Sequence, residues 1–166
     1  DSYSSAAADY TAQRLFGTPW VGIDPETLDQ SKLIVLWGAN ICSARLFSSR
    51  LESIIAKARS NGTRVVVIDP RRSRTAATLA DQWIRIRPGT DSAMMAAMLY
   101  VIVSEGLLDR AFVTRTTSGF DALIDSITGT TDGRPQNPRW AERICGVPTE
   151  TIYELARHYG TAKPAA

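Results

Sequence analysis

Apolar residues along this chain switch between two spacings, and the switches predict the order of its elements. Leu33-Ile34-Val35-Leu36-Trp37 is a continuous apolar run that breaks at Gly38. A short run of this kind suits a strand buried on both faces of a parallel sheet. The spacing then becomes helical, with Phe47, Leu51, Ile54, Ile55 and Ala58 on one face, until Asn61-Gly62 supplies a stop. From Arg64 the strand pattern returns as Val65-Val66-Val67-Ile68 and ends at Asp69-Pro70. Strand, helix and strand with short connections make a βαβ unit with a right-handed crossover.

A short helix over 75–80 leads to a third strand at Gln82–Arg87, where Trp83, Ile84, Arg85, Ile86 and Arg87 alternate. Alternation places this strand nearer an edge of the sheet. Pro88-Gly89-Thr90 turns the chain, and Asp91 is expected to cap a helix from Ser92 to Glu105. Met94, Met95, Met98, Leu99 and Ile102 form its expected buried stripe, since methionines at helical spacing are core residues far more often than a metal site. Further on, Asn137-Pro138 forms an N-cap and first-turn pair for a helix that stops at Gly146. Pro148 opens another, with Ile152, Leu155, Ala156 and Tyr159 on one face and Gly160 at its end. Gly129 to Gln136 is a polar, exposed excursion, and a further strand is expected after Lys163-Pro164.

The fold class that follows is α/β: a Rossmann-like three-layer domain with a mostly parallel sheet and a helical C-terminal third. Residues 31–166 make the domain, and 1–30 form a small, polar lead-in with one helix from Ser5 to Leu15. Both ends read as cut from something longer.

Composition narrows the function. A formal net charge of +2 provides no basic field for nucleic acid, and no apolar run is long enough to span a membrane. Cys42 and Cys145 stand far apart in no CxxC pair, so they read as buried thiols and build no zinc or iron–sulfur site alone. His158 is the only histidine, near a helix end where a surface role is the default.

In an open parallel sheet, ligands bind beyond the carboxyl ends of the strands. Three segments fall there: Trp37-Gly38-Ala39-Asn40, Asp69-Pro70-Arg71-Arg72 and Pro88-Gly89-Thr90-Asp91. Each pairs a small or turn-forming residue, open to backbone approach, with side chains suited to a nucleotide. Asp69 is placed to accept from a ribose or guanine, Arg71 and Arg72 to fork onto phosphate, and Asp91 to accept from a base as well as cap its helix. Singly, each has a structural explanation as turn, strand terminator or cap. Together they support a dinucleotide-binding domain. The Gly-x-Gly-x-x-Gly fingerprint and the Walker pattern are both missing.

The runs Leu33–Asn40 (LIVLWGAN), Val66–Arg72 (VVIDPRR) with Thr75-Ala76, Ile84–Asp91 (IRIRPGTD) and Trp140–Arg157 (WAERICGVPTETIYELAR) resemble the molybdopterin oxidoreductases in order and spacing. The branch they resemble is that of the dimethyl sulfoxide and N-oxide reductases. The resemblance implies a fragment of a catalytic subunit holding part of a molybdenum bis(molybdopterin guanine dinucleotide) cofactor for two-electron oxygen-atom transfer. It makes Trp37, Gly38, Ala39, Asn40, Asp69, Pro70, Arg71, Arg72, Gly89, Thr90 and Asp91 the cofactor-binding set.

Within Ser2-Tyr3-Ser4-Ser5 the same resemblance makes Ser4 the molybdenum ligand and catalytic serine, with Ser5 as fallback; Ser2 stands where the family has an acid. An alkoxide is a hard donor suited to an oxophilic metal. The implied partners are the rest of the subunit, iron–sulfur electron-transfer and membrane-anchor subunits, and a small oxide substrate. The implied location is the bacterial periplasm or its membrane face. Any iron–sulfur cluster belongs to the parent and not to this segment, which alone is expected not to turn over. Two other readings stay open: an NAD(P)-dependent enzyme with Asp69 on the ribose and Arg71 and Arg72 on a 2′-phosphate, and a non-catalytic nucleotide-binding module.

Overall fold

The structure is a computed structural model that describes residues 6–19, 24–43 and 48–166. Its α-helices are α1 (Ala6–Phe16), α2 (Ser48–Ser60), α3 (Arg74–Thr78), α4 (Asp91–Ser104), α5 (Arg110–Thr116), α6 (Phe120–Thr128), α7 (Pro138–Cys145) and α8 (Thr149–Thr161). Strands β1 (Leu33–Trp37), β2 (Arg64–Ile68) and β3 (Gln82–Ile84) pair in parallel in the order β1-β2-β3. Leu33 stands opposite Arg64, and Val66 opposite Gln82.

Because side chains alternate across a strand, the sheet feeds two cores. Leu33, Val66, Ile68 and Ile84 join Met94 and Met98 of α4, Ala141 and Cys145 of α7 and Ile152 of α8. Ile34, Val65 and Val67 join Ile55 and Ala58 of α2, Ala76 of α3 and Leu79. Helices therefore cover both faces. In β2, Val65, Val66, Val67 and Ile68 are all 0% exposed. Each such side chain contributes about 1.5–3 kcal/mol of burial, which is why the run lacks the alternation of a one-sided strand.

The lead-in holds α1, none of whose residues is buried, and a 3₁₀ turn over Pro25–Gln30 capped by Asp24. The turn is tied to α2 by ion pairs Glu26–Arg50 and Asp29–Lys57. At the other end of the chain, Ala165 bridges in parallel to Leu33. The Val35 N–H donates to Ala166 O at 2.8 Å and the Ala166 N–H to Leu33 O at 2.9 Å. Residues 164–166 thus begin a fourth line of pairing along β1, where the sequence leads one to expect a strand.

Four expectations need correction. The third strand stops at Ile84, because the Arg87 N–H donates to Cys145 O at 2.9 Å and draws 85–88 away from the sheet toward α7. Asp91 lies in the first turn of α4; the cap position belongs to Thr90, whose hydroxyl donates back to Arg87 O and caps nothing. The buried stripe of α4 is Ala93, Met94, Ala97, Met98 and Val101, with Met95 45% exposed, since alanines let α7 and α8 approach where larger residues would not fit. Finally, α8 runs through Gly160 to Thr161, and Tyr159 is 41% exposed. A Cβ on Gly160 would stand 3.0 Å from Leu107 Cβ, so this glycine makes room for a neighbour inside the helix.

Asp81, just before β3, anchors that edge strand to β2. Its Oδ2 accepts from the Val65 N–H at 2.8 Å and its Oδ1 from Arg59 Nε at 2.7 Å. Burial pushes its carboxyl up, but the Val65 N–H and the Arg59 guanidinium outweigh that and hold it below the ordinary value. A carboxylate depressed in the fold adds stability that is full above its unfolded value and is lost as pH falls through the folded one. Asp81→Ala is therefore expected to cost about 1 kcal/mol at neutral pH. In thermal melts, the gap from wild type should close as pH falls below about 4. Gly160→Val gains a little helix propensity but drives two methyl groups into Leu107, and should lower stability by roughly 1–3 kcal/mol. A rise in melting temperature would show that Leu107 moves aside freely.

Candidate functional site

The strands are parallel, so their carboxyl ends open on one side of the sheet. Trp37 ends β1, Ile68 ends β2 and Ile84 ends β3, with Trp37 paired to Ile68 and Ile68 to Ile84. The loops after these residues consequently lie side by side. The amino end of the sheet is different ground. His158 sits there with Arg64, Gln82 and Glu154, and burial together with Arg64 pushes its imidazole below the ordinary value. It takes no part in the site.

In the first loop, Gly38 adopts a left-handed φ of +60°, a conformation that suits glycine. Its N–H donates to Ile68 O at 2.8 Å, continuing the β1–β2 ladder. It is therefore spent on the sheet and unavailable to a phosphate, in keeping with the absent glycine fingerprint. The side chains of Trp37 and Ala39 pack against the two cores. Trp37 also lines an apolar groove of about 380 Å³ with Met95, Met98, Leu99 and Tyr159. Asn40 is half-buried, and its Oδ1 accepts from the Thr75 hydroxyl at 3.2 Å.

In the second loop, Asp69 is 5% exposed. Its Oδ1 accepts from the Arg71 N–H at 2.9 Å, closing an Asx turn over Pro70. Its backbone carbonyl accepts from Trp83 Nε1 at 2.9 Å, which locks the loop onto β3. The second carboxylate oxygen makes no hydrogen bond within the described residues. Arg71 and Arg72 are exposed and pair with no carboxylate there. Among the described residues they stand as cations without an ion-pair partner at the rim of an acceptor.

Gly89 in the third loop has φ +73° and is exposed, and Thr90 and Asp91 lead into α4. No side chain caps that helix; the Ala93 N–H turns back to Thr90 O at 3.1 Å, which leaves the Asp91 and Ser92 N–H groups at this end of the sheet uncapped among the described residues. Between the second and third loops lies a cavity of about 420 Å³ lined by Pro70, Arg85, Arg87, Pro88, Cys145 and Gly146. Arg87 donates from Nη1 to the carbonyls of Arg143 and Ile144, placing its charge on the C-terminus of α7. Arg85, exposed and without an ion pair among the described residues, faces the opening.

The structure places Asn40, Asp69, Pro70, Arg71, Arg72, Gly89, Thr90 and Asp91 at this end of the sheet, where the sequence reading expects its cofactor-binding set. Beside them the structure brings Thr75, Arg85 and the α7 terminus, which the sequence reading did not count in that set. The alternation of Arg85 and Arg87 was a usable signal for the first arginine, whereas the meeting of Arg87 with Cys145-Gly146 is a long-range contact with no local trace. Ser4, its fallback Ser5, and Phe47 lie outside the described residues. Both cysteines are buried and free, and burial pushes both thiols up, so neither is a reactive thiolate. Among the described residues there is no cluster of three or more His, Cys, Asp or Glu that could hold a metal, and no helix long and apolar enough to cross a membrane.

Arrangement and chemistry together describe a rim with one acidic acceptor, an amide, exposed guanidiniums and an open helix terminus, which suits a phosphorylated nucleotide. Comparison with known proteins identifies the family. The family model described as molybdopterin oxidoreductase matches residues 2–149. The chain is 38% identical to the dimethyl sulfoxide reductase DmsA of Haemophilus influenzae over 98% of its own length and 22% of that protein's. It is 33% identical to a trimethylamine-N-oxide reductase of the same organism, over 97% of this chain and 21% of the relative. Among solved structures it superposes on acetylene hydratase from Pelobacter acetylenicus with a TM-score of 0.69 and 29% identity, covering 82% of this chain and 18% of that one. It spans about a fifth of the curated relatives it matches. With the family model matching nearly nine-tenths of its length, the chain belongs to the molybdopterin oxidoreductase family.

Proposed function

We propose that this chain is the part of a molybdenum oxidoreductase's catalytic subunit that holds the nucleotide end of one molybdopterin guanine dinucleotide, in an enzyme that reduces small S- or N-oxides. The observation that carries the reading is the convergence of Asn40, Asp69, Arg71 and Arg72 at adjacent carboxyl strand ends, where among the described residues one Asp69 oxygen has no donor and neither arginine has an ion-pair partner. These residues fit the group. Asp69 suits the N–H donors of guanine or a ribose hydroxyl, and the arginines suit pyrophosphate oxygens. Gly89 to Asp91 and the open start of α4 complete the rim.

The Rossmann-like reading of the sheet rests on the same region. With residues 164–166 on one side of β1 and β2 on the other, the strand sequence reverses direction at β1. Such a reversal is where open α/β sheets bind their ligands. The loop that carries Asn40 leaves the sheet at that point.

When bound, the cofactor supplies two-electron oxygen-atom chemistry at molybdenum; this chain's residues bind and orient it. Ser4 is the proposed metal ligand, and residues 1–30 the segment that delivers it. The remaining domains of the subunit hold the rest of the cofactor and form the substrate path. Iron–sulfur and membrane-anchor subunits at the periplasmic face of the membrane are the proposed electron source. The similarity to sulfoxide and N-oxide reductases supports this assignment.

Two measurements test the reading. In calorimetric titrations of this chain with GDP, Asp69→Asn should weaken binding roughly 10–100-fold, the cost of losing a charge-assisted acceptor. Unchanged affinity would remove Asp69 from the site, and tight NADP binding with none for GDP would favour a nicotinamide enzyme. In the longer protein that contains this chain, Ser4→Ala should abolish oxide reduction and alter the molybdenum spectrum. Retained activity with an unaltered spectrum would exclude Ser4 as ligand.

A further inference from the structure

Thr75 is fully buried, at 0% exposure, yet it is polar and belongs to none of the three loops. It sits in α3, just after the second loop, and reaches across to the first. Its Oγ1 accepts from the Cys42 N–H at 3.0 Å and donates to Asn40 Oδ1 at 3.2 Å. A hydroxyl has one proton to give. With Cys42 N–H occupying a lone pair, that proton goes to Asn40 Oδ1. Turning the amide over would set NH₂ against the hydroxyl and leave the fully buried proton only the neighbouring Cys42 sulfur, a much weaker acceptor than an amide oxygen.

The consequence lies at the other end of the amide. Asn40 Nδ2 has no hydrogen-bond partner among the described residues. Asp29 Oδ1 is the one buried side-chain N or O there without a partner, so Asn40 Nδ2 reaches the surface. Asn40 accordingly presents two N–H donors where the chain leaves β1, while Asp69 presents a free acceptor oxygen where it leaves β2.

We propose that Thr75 is the positioning residue of this site: its buried hydroxyl fixes Asn40 as a donor, so that the ligand atom held at Asn40 is an acceptor, a phosphate or pyrophosphate oxygen. The proposal rests on the nucleotide reading above and adds a polarity to it. The anionic part of the ligand lies on the Asn40 side, and its hydroxyl or ring N–H groups lie on the Asp69 side. Thr75 also couples the loops, because a shift of α3 that breaks its bond to Asn40 frees the amide to rotate.

Calorimetry with GDP and with inorganic pyrophosphate, on the wild-type chain and on Thr75→Val, Thr75→Ser and Asn40→Ala singly and combined, tests this. Thr75→Val should weaken both probes about tenfold, one hydrogen bond's worth, and Thr75→Ser should restore binding to within about twofold. In the Asn40→Ala background, Thr75→Val should cost less than about twofold, because its path to the ligand is gone. An equal loss in both backgrounds, or no rescue by serine, would show a merely structural threonine and overturn the proposal.

Asn40→Asp leaves the buried hydroxyl its acceptor but offers the ligand a carboxylate, so it should fold and lose pyrophosphate binding more severely than Asn40→Ala. Binding equal to that of Asn40→Ala would overturn the assigned polarity. In the unliganded chain, the Asn40 side-chain amide should give one ordered NMR pair in wild type and Thr75→Ser, and an averaged pair in Thr75→Val. Equal order in Thr75→Val overturns the positioning itself, independently of any ligand. Failure of wild type to bind either probe overturns the nucleotide reading and the ligand half of the proposal, while the amide signals decide the other half.

Discussion

Water is excluded from both faces of β2, and the rest of the structure is registered to that fact. Val65 to Ile68 cannot leave the sheet without exposing two cores at once, so β2 is held at a fixed height between its helical layers. Its neighbours are fastened to it at both ends. Asp81 receives the Val65 N–H at the amino end. At the carboxyl end, the Gly38 N–H donates to Ile68 O and the Asp69 N–H to Ile84 O. These end bonds bring three loops to one level, and that level is what turns separate turn residues into one rim.

The rim then divides its work by hydrogen-bond polarity. In the proposed site Asn40 gives protons, Asp69 takes them, and Arg71 and Arg72, which pair with no carboxylate among the described residues, supply positive charge. Supporting residues hold each part from below: Thr75 under Asn40, Trp83 under the Asp69 loop, and the α7 terminus under Arg87. Such support is what keeps a binding site rigid enough to orient a large cofactor. The chain belongs to the molybdopterin oxidoreductases, whose chemistry resides in the cofactor, and this division of labour is what a holding domain needs.

How much of this was legible in the sequence depends on whether the deciding force was local. The runs Leu33–Trp37 and Val65–Ile68 announced their strands because continuous apolarity has few other uses at that length. Asn137, with its side chain accepting the Trp140 N–H, and Gly146, in the left-handed conformation, marked α7 by cap chemistry alone. Tertiary packing hid the rest. Nothing nearby shows that the Arg87 N–H would leave the ladder for Cys145, or that Gly160 serves Leu107 and does not end a helix. The choice of alanines over Met95 on α4's inner face likewise depends on how closely α7 and α8 approach. Of the site, the loop residues were readable because turn formers carry polar side chains there. Thr75 was not, since a threonine inside a helix acquires its role only from a partner 35 residues away.

The most direct test of the central claim, that the carboxyl ends of the three strands hold a nucleotide, is backbone and side-chain NMR of this chain titrated with GDP. Shift changes are predicted to concentrate in residues 38–42, 69–75 and 85–92, with the amino end of the sheet around Arg64 and His158 unmoved. Changes centred on that opposite end, or on the groove beside Trp37 and Tyr159, would contradict the account.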